Sequence, residues 1–358
     1  MTGPLTPRAA LDRLLDGGSL DELEAGELLT ALTDAQLAPA MAGALLAALR
    51  AKGVSATELR GFARRMRALA RRPQLPSLPD AVDIVGTGGD RSGSLNLSTG
   101  AALLAAACGV PIFKHGNRSI SSRAGSADVL EALGLPMPLD EQAAGRCFAA
   151  LGFTFLFAPY YHAATKSIAA VRAALGVRTV FNLLGPLSNP AEPPYLVVGA
   201  FDLATAELLA QALQGTHVRR AFVLHGAEGW DEPTPVGDFT VFDVSAAGVR
   251  REQRSPASYG LMSCASHELA GADAAHNARE LRRALYGERS AAGDPHRDPH
   301  RDSLLIGAAL ALEVSGREPT LEAALTRARA GIATGAARAL LQRLERFGAE
   351  EAQRTVVS

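Results

Sequence analysis

The sequence predicts an α/β protein with a small all-helical N-terminal domain and a large α/β domain that contains a mostly parallel central sheet. Residues 1–72 carry apolar side chains at helical spacing, and a Pro-rich segment follows at 73–79. Beyond that segment, short β-rich runs alternate with helical stretches, an order typical of a parallel sheet covered by helices. We therefore expect the helical domain to span 1–76 and the α/β domain to span 77–358.

Length and composition are those of a soluble globular protein. The chain has 358 residues, 47% of them apolar and 20% charged, and a net charge of -1, which argues against a whole-protein attraction to nucleic acid. The three cysteines, Cys108, Cys147 and Cys264, show neither a disulfide framework nor a zinc-binding spacing. Because residues 1–13 lack a signal-peptide core and no apolar run is long enough to span a bilayer, we expect a cytoplasmic protein without membrane contact.

In the helical domain, helix boundaries are predicted from residues that satisfy free backbone groups at helix ends. These signals are Thr6 before Pro7, the capping-box pairs Ser19 with Glu22 and Ser55 with Glu58, and Pro39 and Gly53 as the start and end of one helix. Arginines gather on one face of the last helix, and we expect that face to be solvated; a patch for an anionic partner is the alternative. They are Arg60, Arg64, Arg65, Arg67, Arg71 and Arg72.

In the α/β domain, the alternation of patterns predicts the following elements. Strands are expected at 82–85, 111–114, 153–157, 195–200 and 221–224, and helices at 98–108, 125–133, 140–151, 163–175 and 203–213. Further helical patterns run from 302 to 347. Residues 294–302 contain a tandem Asp-Pro-His-Arg repeat, which we expect to be a duplicated surface loop rather than a His-rich metal site.

A Gly-rich turn at 85–90 is the first candidate binding element. It follows the strand at 82–85, and a helix is expected to begin near Ser98. Glycines let a ligand approach the backbone, and a helix N-terminus offers free N–H groups to an anion. The turn matches neither the dinucleotide fingerprint, because Arg91 stands at the third glycine position, nor the P-loop, because Ser94 stands where lysine is needed.

A cationic loop at 114–122 is the second candidate element. Lys114 and Arg118 can neutralise phosphate, and the serine hydroxyls of the loop can donate hydrogen bonds. Ser126 lies near the start of the next helix, whereas His115 either lines an aromatic substrate or packs within the loop. Because both loops follow strands, they are expected at the same carboxyl edge of the sheet. Together they predict a protein that binds a heavily phosphorylated small molecule.

Acidic and basic side chains elsewhere suggest a metal ion and a carboxylate substrate. Asp231 and Glu232 lie in a Gly-flanked loop; such a pair is often a solvated turn, but beside a phosphate site it suits Mg²⁺. Arg172 can bind a carboxylate through two parallel hydrogen bonds, although a surface helix arginine is the simpler interpretation. We find no nucleophile elbow, Cys–His signature or Schiff-base signature. The residues therefore predict transfer chemistry with a good leaving group.

Several long motifs, in order along the chain, resemble those of the anthranilate phosphoribosyltransferases of tryptophan biosynthesis. The resemblance covers nearly the whole chain. Its motifs are 82–90, 96–99, 114–118, 125–134, 176–179 with 182–187, and 225–226 with 231–232. The resemblance implies a homodimer formed through the helical domain, which a segment near 163–177 joins. It also implies that phosphoribosyl pyrophosphate (PRPP), two Mg²⁺ ions and anthranilate bind in the cleft between the domains.

The resemblance also implies the site residues and the reaction. The PRPP-binding positions are Gly86, Gly89, Asp90, Ser94, Asn96, Leu97, Ser98, Thr99, Lys114, His115, Gly116, Asn117, Arg118, Ser119, Ile120, Ser121, Ser122 and Ser126. The anthranilate positions are Gly86, Asn117 and Arg172, and the metal positions are Ser98, Asp231 and Glu232. The implied reaction transfers the phosphoribosyl group of PRPP to the amine of anthranilate and releases pyrophosphate.

The sequence departs from the family pattern at a few positions and leaves two alternatives open. Arg91 stands where the family often has Gly, Gly307 replaces a frequent Asn, and the segment around Thr165 lacks the usual Pro and Met. A related pyrimidine-nucleoside phosphorylase would not need the carboxylates at 231–232. A non-catalytic, nucleic-acid-binding paralogue would need a broad basic groove, and the arginine face at 60–72 is the only feature that supports it.

Overall fold

The computed structural model describes residues 5–76, 80–90, 92–118, 123–289 and 297–357. The N-terminal part is a helical bundle, as predicted. Its helices are α1 (Pro7–Leu15), α2 (Glu22–Leu32), α3 (Pro39–Lys52) and α4 (Ala56–Ala68). The predicted site residues Ser119, Ile120, Ser121 and Ser122, the departure at Arg91 and the first part of the tandem repeat lie outside the described residues.

Most of the predicted capping signals in the bundle are confirmed. The Thr6 hydroxyl accepts a hydrogen bond from the backbone at the start of α1. Pro39 opens α3, which ends before Gly53. Ser55 and Glu58 form the reciprocal bonds of a capping box at the start of α4. These boundaries follow from local sequence because each cap satisfies backbone groups within its own helical turn.

The predicted capping box of Ser19 with Glu22 is wrong. Helix α2 begins at Glu22, so Asp21 is its N-cap and Glu24 completes the box. The Ser19 hydroxyl instead accepts a hydrogen bond from Lys52 Nζ at 3.2 Å. The helix is therefore capped by the box of Asp21 and Glu24, which lies two residues after the predicted one.

A seven-stranded sheet lies at the centre of the rest of the chain. Its strands are β1 (Val82–Gly86), β2 (Ile112–Gly116), β3 (Phe153–Phe157), β4 (Tyr195–Gly199), β5 (Arg220–His225), β6 (Phe239–Ser245) and β7 (Gly248–Arg254). The spatial order is β3-β2-β1-β4-β5-β6-β7, with parallel pairing from β3 to β5 and antiparallel pairing of β6 and β7. The prediction of a mostly parallel sheet is therefore confirmed.

The hairpin of β6 and β7 was not predicted. Strand β7 reads Gly-Val-Arg-Arg-Glu-Gln-Arg, and most of its side chains are not buried. It is an edge strand that pairs only with β6, so one row of its backbone groups is unpaired in the sheet. Charged side chains protect such an edge against pairing with other chains. Because they replace the alternating apolar residues by which strands are recognised, β7 could not be identified from the sequence pattern.

Helices cover the sheet, and those predicted between 98 and 213 are present. The helices are α5 (Leu97–Ala107), α6 (Ser126–Ala132), α7 (Glu141–Leu151), α8 (Ala158–Tyr161), α9 (Lys166–Leu175), α10 (Phe181–Leu184), α11 (Leu203–Leu213), α12 (Ala274–Leu285), α13 (Pro299–Val314), α14 (Leu321–Ala333) and α15 (Ala336–Val357). Helix α12 was not predicted, and the region predicted as a helix at 163–175 begins with a 3₁₀ turn before α9. None of the described helices is long and apolar enough to cross a membrane.

Two apolar cores lie on opposite faces of the sheet. Successive strand residues face opposite sides, so Val197 belongs to one core and Val198 to the other. One core contains α5 and α13, which cross closely; a Cβ atom added at Gly307 would lie 2.6 Å from the Cβ atom of Ala101. The other core is continuous with the helical bundle and includes Phe62 of α4 and Leu209 of α11. The bundle therefore packs on one face of the sheet rather than standing apart from it.

The prediction that the arginine face is solvated is wrong for Arg60, Arg65 and Arg67, which are partly buried, whereas Arg64, Arg71 and Arg72 are exposed. Arg67 is mostly buried; it donates to the Leu187 carbonyl and lies 3.5 Å from a carboxylate oxygen of Glu192. Arg60 donates to the Gln211 carbonyl at 3.1 Å. These contacts hold the bundle against the α/β part. Sequence periodicity could not reveal them because it shows only that a face is polar, not what covers it.

The interpretation of the tandem repeat as a surface loop is also wrong for its second copy. Pro299 is the first residue of α13, and the buried Asp298 is its N-cap, accepting from the Arg301 backbone at 3.1 Å. Arg283 of α12 donates to both Asp298 carboxylate oxygens. The second copy therefore begins a buried helix instead of forming a loop.

Candidate functional site

The candidate site lies where the parallel strands end. The turn that follows β1 is attached to β4, because Thr87 N donates to the Gly199 carbonyl at 2.9 Å. The same turn contacts the chain beyond β4, since Phe201 N donates to the Thr87 hydroxyl at 3.2 Å. Open α/β sheets place their ligands at this edge, where neighbouring strands lead into loops on opposite faces.

The carboxylates of Asp231 and Glu232 lie against this turn rather than in a solvated loop. Asp231 Oδ2 accepts from Gly88 N at 2.6 Å, and Glu232 Oε1 accepts from Ser98 N at 3.1 Å. A Cβ atom added at Gly86 would lie 2.4 Å from Asp231 Oδ2, so only glycine fits at the end of β1. We call Asp231, Glu232, Gly86, Gly88 and Ser98 the carboxylate region. It brings the predicted metal positions together with the Gly-rich turn.

Burial strongly perturbs both carboxylates. Burial, followed by the charge of Asp90, raises the pKa of Asp231 to about 7. Burial and then the charge of Asp231 raise the pKa of Glu232 to about 8. Two adjacent buried carboxylates repel each other, and a cation between them would relieve both effects. The residues therefore fit a hard divalent ion such as Mg²⁺, which prefers oxygen ligands.

A small pocket adjoins the carboxylate region. Its lining includes Ser98, Asp231, Glu232 and Gly307. Gly307, where the family often has Asn, therefore lies beside the candidate metal residues. Within the described ranges, no group of three or more His, Cys, Asp or Glu side chains could hold a metal ion.

Lys114 is buried beneath this region instead of extending into the cationic loop. Its ammonium group donates to the Ile84 carbonyl and lies 3.5 Å from the Ser98 hydroxyl. Burial lowers the pKa of Lys114, whereas the charges of Asp83, Glu232 and Asp231 oppose that shift. The lysine therefore supplies positive charge to the carboxylate region from within the protein.

The N-terminus of α5 differs from the expected anion site. Its first N–H groups have partners within the protein: Ser98 N donates to Glu232, and Thr99 N donates to the Asn96 carbonyl at 3.1 Å. Leu97 N donates to the Leu95 carbonyl at 2.6 Å. Sequence alone could not show this, because the partner carboxylate comes from a loop more than a hundred residues away.

The remaining predicted PRPP positions of the Gly-rich turn lie near this helix start. Asp90 accepts from Ser92 N at 3.2 Å, and the Ser94 hydroxyl accepts from the Ser92 hydroxyl at 3.1 Å. Gly89 offers its carbonyl to the guanidinium of Arg178, which also lies 3.7 Å from the centre of the Phe201 ring. Leu97 and Thr99 are buried. Arg178 was not predicted as a site residue, and it links the turn to the segment that follows α9.

The described part of the cationic loop is engaged with α6. Asn117 is exposed, and its carbonyl accepts from Ala127 N at 3.3 Å. Arg118 donates to the carboxylates of Asp128 and Glu131. Gly116 ends β2, and Ser126 begins α6 as expected. The guanidinium of Arg118 is therefore paired with carboxylates of α6 in this structure.

A second group of residues, which we call the histidine region, consists of His115, His162, Arg172 and Phe181. The rings of His115 and His162 are buried and meet edge to face, with centroids 5.1 Å apart. Burial lowers the pKa of His115 to about 3 and that of His162 to about 4, so both are neutral near pH 7. His162 was not predicted as a site residue, because it lies in no recognised catalytic motif and its partner is distant in sequence.

Several polar groups of the histidine region have no partner among the described residues. His115 Nδ1 lies 3.2 Å from the Gly185 carbonyl oxygen, but His115 Nε2 has no hydrogen bond. Ser188 and Met66 are the polar backbone neighbours of His162, yet neither ring nitrogen has a hydrogen bond of ordinary geometry. Two buried histidines thus retain hydrogen-bonding capacity.

Arg172 is half-buried rather than a freely solvated helix arginine. Its guanidinium lies 5.0 Å from the centre of the Phe181 ring, and burial lowers its pKa. Phe181 begins the short helix α10, and Gly185 at the end of that helix contacts His115. The two ends of α10 thus contact Arg172 and His115, and no described carboxylate forms an ion pair with Arg172.

Asp83 and Asn189 form a buried connection beneath the site that sequence analysis missed. Asp83 accepts from His115 N at 3.2 Å and from Asn189 Nδ2 at 2.8 Å. Asn189 Nδ2 also donates to the Phe113 carbonyl at 2.7 Å. Burial raises the pKa of Asp83 to about 6. This connection ties β1 and β2 to the loop after α10, which contributes the Gly185 carbonyl to the histidine region.

Comparisons with known protein families agree with this architecture. Residues 78–338 match the family described as "Glycosyl transferase family, a/b domain", and residues 8–70 match "Glycosyl transferase family, helical bundle domain". The chain is 43% identical to the anthranilate phosphoribosyltransferase of Desulforudis audaxviator, over 95% of this chain and 96% of that protein. The corresponding protein of Rubrobacter xylanophilus is also 43% identical, with the same coverage of both chains.

Solved structures give the same result. The crystal structure of anthranilate phosphoribosyltransferase from Thermus thermophilus superposes with a TM-score of 0.87 at 40% identity, covering 95% of this chain and 99% of that chain. The Saccharomyces cerevisiae anthranilate phosphoribosyltransferase in complex with PRPP and Mg has a TM-score of 0.85 at 26% identity, covering 96% of this chain and 98% of that chain.

Proposed function

The chain belongs to the anthranilate phosphoribosyltransferase family, and from that premise we propose that it transfers the phosphoribosyl group of PRPP to anthranilate. The observation that carries the proposal is the pair of adjacent carboxylates, the buried Asp231 and the half-buried Glu232, held by backbone N–H groups of Gly88 and Ser98 at the carboxyl edge of the sheet. This arrangement suits a substrate that arrives with Mg²⁺ and many phosphate oxygens. It favours PRPP over the single phosphate of a nucleoside phosphorylase.

In the proposed reaction, the amine nitrogen of anthranilate forms a bond to C1 of the ribose. The bond from C1 to the pyrophosphate oxygen breaks, its electron pair leaves with pyrophosphate, and the amine nitrogen loses a proton to solvent. The product is N-(5-phosphoribosyl)anthranilate. Positioning matters more than a strong base here, because an aromatic amine is already neutral at pH 7.

We propose that Asp231, Glu232 and Ser98 hold Mg²⁺, and that two ions bind with PRPP. When bound, a divalent ion neutralises charge on the departing pyrophosphate. The remaining PRPP contacts are proposed for the Gly-rich turn and the loop at 114–122 with Ser126. The adjacency of the two carboxylates supports the metal assignment, because each charge raises the energetic cost of ionising the other and a divalent cation between them would relieve that repulsion.

We propose that the histidine region receives anthranilate. Arg172 is a half-buried cation without a described ion-pair partner, and its planar guanidinium can bind a carboxylate through two hydrogen bonds. The neutral rings of His115 and His162, which meet edge to face, supply unused hydrogen-bonding atoms. Gly86 and Asn117 are the other proposed anthranilate positions.

We also propose the domain division at 1–76 and 77–358, with 163–177 joined to the bundle. Ser167 of α9 donates to the Thr33 carbonyl at 2.9 Å, which supports that addition. We further propose a cytoplasmic homodimer that contacts neither membrane nor nucleic acid. Leu15 and Leu23 of the bundle are 68% and 64% exposed, which supports a dimer formed through this part.

The proposed reaction is tested by mixing the purified protein with anthranilate, PRPP and Mg²⁺ and following anthranilate fluorescence. We expect a loss of fluorescence that requires both PRPP and Mg²⁺ and that matches pyrophosphate release mole for mole. Omitting PRPP and chelating Mg²⁺ are the controls. Folded protein that consumes no anthranilate would refute the proposal, and retention on heparin at moderate salt would then favour the nucleic-acid-binding alternative.

A further inference from the structure

Asn96, one of the proposed PRPP-binding residues, is held by a segment that the sequence analysis did not connect with the site. Asn96 is the N-cap residue of α5, yet its side chain does not cap the helix. Instead, its Nδ2 donates to the Ala124 carbonyl at 3.1 Å, and its Oδ1 accepts from Asn277 Nδ2 at 2.9 Å. The amide therefore connects the start of α5 with Ala124, which follows the cationic loop, and with α12.

The orientation of both amides is fixed by backbone groups whose roles cannot reverse. Ala272 N can only donate, and it donates to Asn277 Oδ1 at 2.7 Å, so the Asn277 NH₂ group must face Asn96. The Ala124 carbonyl can only accept, so the Asn96 NH₂ group must face it. The side-chain amides of Asn96 and Asn277 thus each have one orientation that satisfies their hydrogen bonds. Asn277 is buried, which protects this arrangement from competing water.

Backbone contacts hold the segment 269–277, which contains Asn277, against residues 93–95 between the Gly-rich turn and α5. Gly271 N donates to the Gly93 carbonyl at 2.8 Å, and Leu95 N donates to the Leu269 carbonyl at 3.0 Å. A Cβ atom added at Gly271 would lie 2.7 Å from the Ser94 carbonyl oxygen, so the close approach requires glycine. The segment therefore fixes both the backbone before Asn96 and the side chain of Asn96.

We propose that Asn277 is a positioning residue that orients the Asn96 amide for PRPP. This inference rests on the proposed function. With Asn277 and Ala124 fixing its orientation, the Asn96 amide keeps one N–H and one oxygen lone pair directed by the protein. Asn277 itself touches no substrate and acts only through Asn96. Pre-orienting a polar group lowers the cost of ordering it when the ligand binds.

The test replaces Asn277 by Asp, which preserves the acceptor for Ala272 N but cannot donate to Asn96. To pair with the new carboxylate, the Asn96 amide must turn over, and its oxygen then faces the Ala124 carbonyl oxygen. We expect the KM for PRPP to rise about tenfold, the effect of one lost hydrogen bond. The KM for anthranilate at saturating PRPP should change less than about twofold.

Asp273→Ala is the matched control, because Asp273 is the exposed N-cap of the same helix α12 and does not contact Asn96. Thermal midpoints are measured for both variants so that loss of stability is compared directly. A PRPP KM in Asn277→Asp no higher than in Asp273→Ala would overturn the inference. If Asn277→Asp does not fold, Asn277→Ala removes the same donor without adding charge, although it also removes the acceptor for Ala272 N, and it is judged by the same comparison.

Calorimetric titration of PRPP with Mg²⁺ separates this inference from the proposed function. Weaker PRPP binding in Asn277→Asp than in Asp273→Ala supports the positioning role. A parent protein that binds no PRPP refutes the proposed function and the inference with it. A parent protein that binds PRPP, with equal affinity in Asn277→Asp, refutes the inference alone.

Discussion

The carboxylate region and the histidine region both contain buried polar groups, but only the first satisfies them within the protein. Asp231 and Glu232 each accept a backbone N–H, and Lys114 adds positive charge from below. In the histidine region, His115 Nε2 and both ring nitrogens of His162 have no hydrogen bond of ordinary geometry among the described residues. One region holds charges in place, and the other leaves hydrogen-bonding capacity unused.

The difference is consistent with the two kinds of binding proposed for these regions. The carboxylate region has fixed oxygen ligands whose mutual repulsion a cation would relieve, as expected for a metal–phosphate site. The histidine region combines neutral rings with the half-buried Arg172, a composition suited to an aromatic acid. An unpaired buried polar group is costly, so its presence at a site favours a ligand that satisfies it.

The largest expected effect is in the carboxylate region. Asp231→Asn combined with Glu232→Gln keeps oxygen acceptors for Gly88 N and Ser98 N but removes the negative charge that would hold the cation. We expect turnover to fall at least about a thousandfold, the size of losing a preorganised electrostatic group. The fall is measured as the steady-state turnover of the double variant and of the parent protein over a range of Mg²⁺ concentrations.

The stability of the same double variant is the control for folding. Removing two buried like charges should leave its thermal midpoint at or above that of the parent protein. Turnover close to the parent's at every Mg²⁺ concentration would show that these carboxylates do not hold the metal. In that case the carboxylate region would not be the metal-binding region.

The next largest effect is expected at Arg172. Arg172→Ala should raise the KM for anthranilate about a hundredfold, the upper range for a charge-assisted bidentate contact, and the KM for PRPP less than about threefold. Arg172→Lys keeps the charge without the planar fork and should fall between the parent and Arg172→Ala. An unchanged anthranilate KM in Arg172→Ala would remove the carboxylate-binding role.

A smaller, pH-dependent effect is expected from His115 and His162. Burial lowers their pKa values to about 3 and about 4, whereas the pKa of histidine in an unfolded chain is about 6.5. As pH falls from about 6.5 towards 4, the unfolded state gains protons that the folded state does not, so the free energy of unfolding decreases. Their contribution to stability is therefore fully present above about pH 6.5 and lost in acid.

Replacing both histidines by glutamine should remove on the order of 4 kcal/mol of that decrease between about pH 7.5 and about pH 5, roughly half of it from each residue. Urea unfolding of the parent and the double variant at about pH 7.5, 6 and 5 measures the difference in slope. Parallel pH dependences in the two proteins would mean that the histidines are not buried in their neutral form. The histidine region would then not be a site of buried neutral rings.

The smallest effect is expected outside both regions. Ser55→Ala removes the capping box at the start of α4 and should lower the free energy of unfolding by about 1 kcal/mol. Neither KM should change, because Ser55 contacts neither region. Urea unfolding and steady-state kinetics check this. A changed KM would show that a modest loss of stability in the bundle alters substrate binding. The KM changes of the other variants would then have to be corrected for their loss of stability.

Features that depend on residues close together in the sequence could be predicted, whereas features that depend on distant residues could not. The strands β1 to β5 and the caps at Thr6 and Ser55 depend on residues close together in the chain, and local patterns identified them. The loops of the site were also recognised, because each follows a predicted strand. The edge strand β7 escaped because charged residues obscure its pattern.

The interior of the site depends on contacts between distant segments and could not be predicted. The burial of Lys114, the pairing of Asp83 with Asn189 and the contact between His115 and His162 all arise only after the sheet has formed. The same holds for α5, whose N-terminal N–H group at Ser98 is taken by Glu232. Residue type and spacing indicate which groups can bind phosphate, but not which of them already have partners.

Separate calorimetric titrations of PRPP with Mg²⁺ and of anthranilate test most directly whether the two regions bind different substrates. Each ligand would be titrated into the parent protein, into Arg172→Ala, and into Asp231→Asn with Glu232→Gln. We predict crossed losses: Arg172→Ala binds PRPP but not anthranilate, and the carboxylate variant loses Mg²⁺-dependent PRPP binding while still binding anthranilate. Equal loss of both ligands in each variant would contradict the assignment of one substrate to each region.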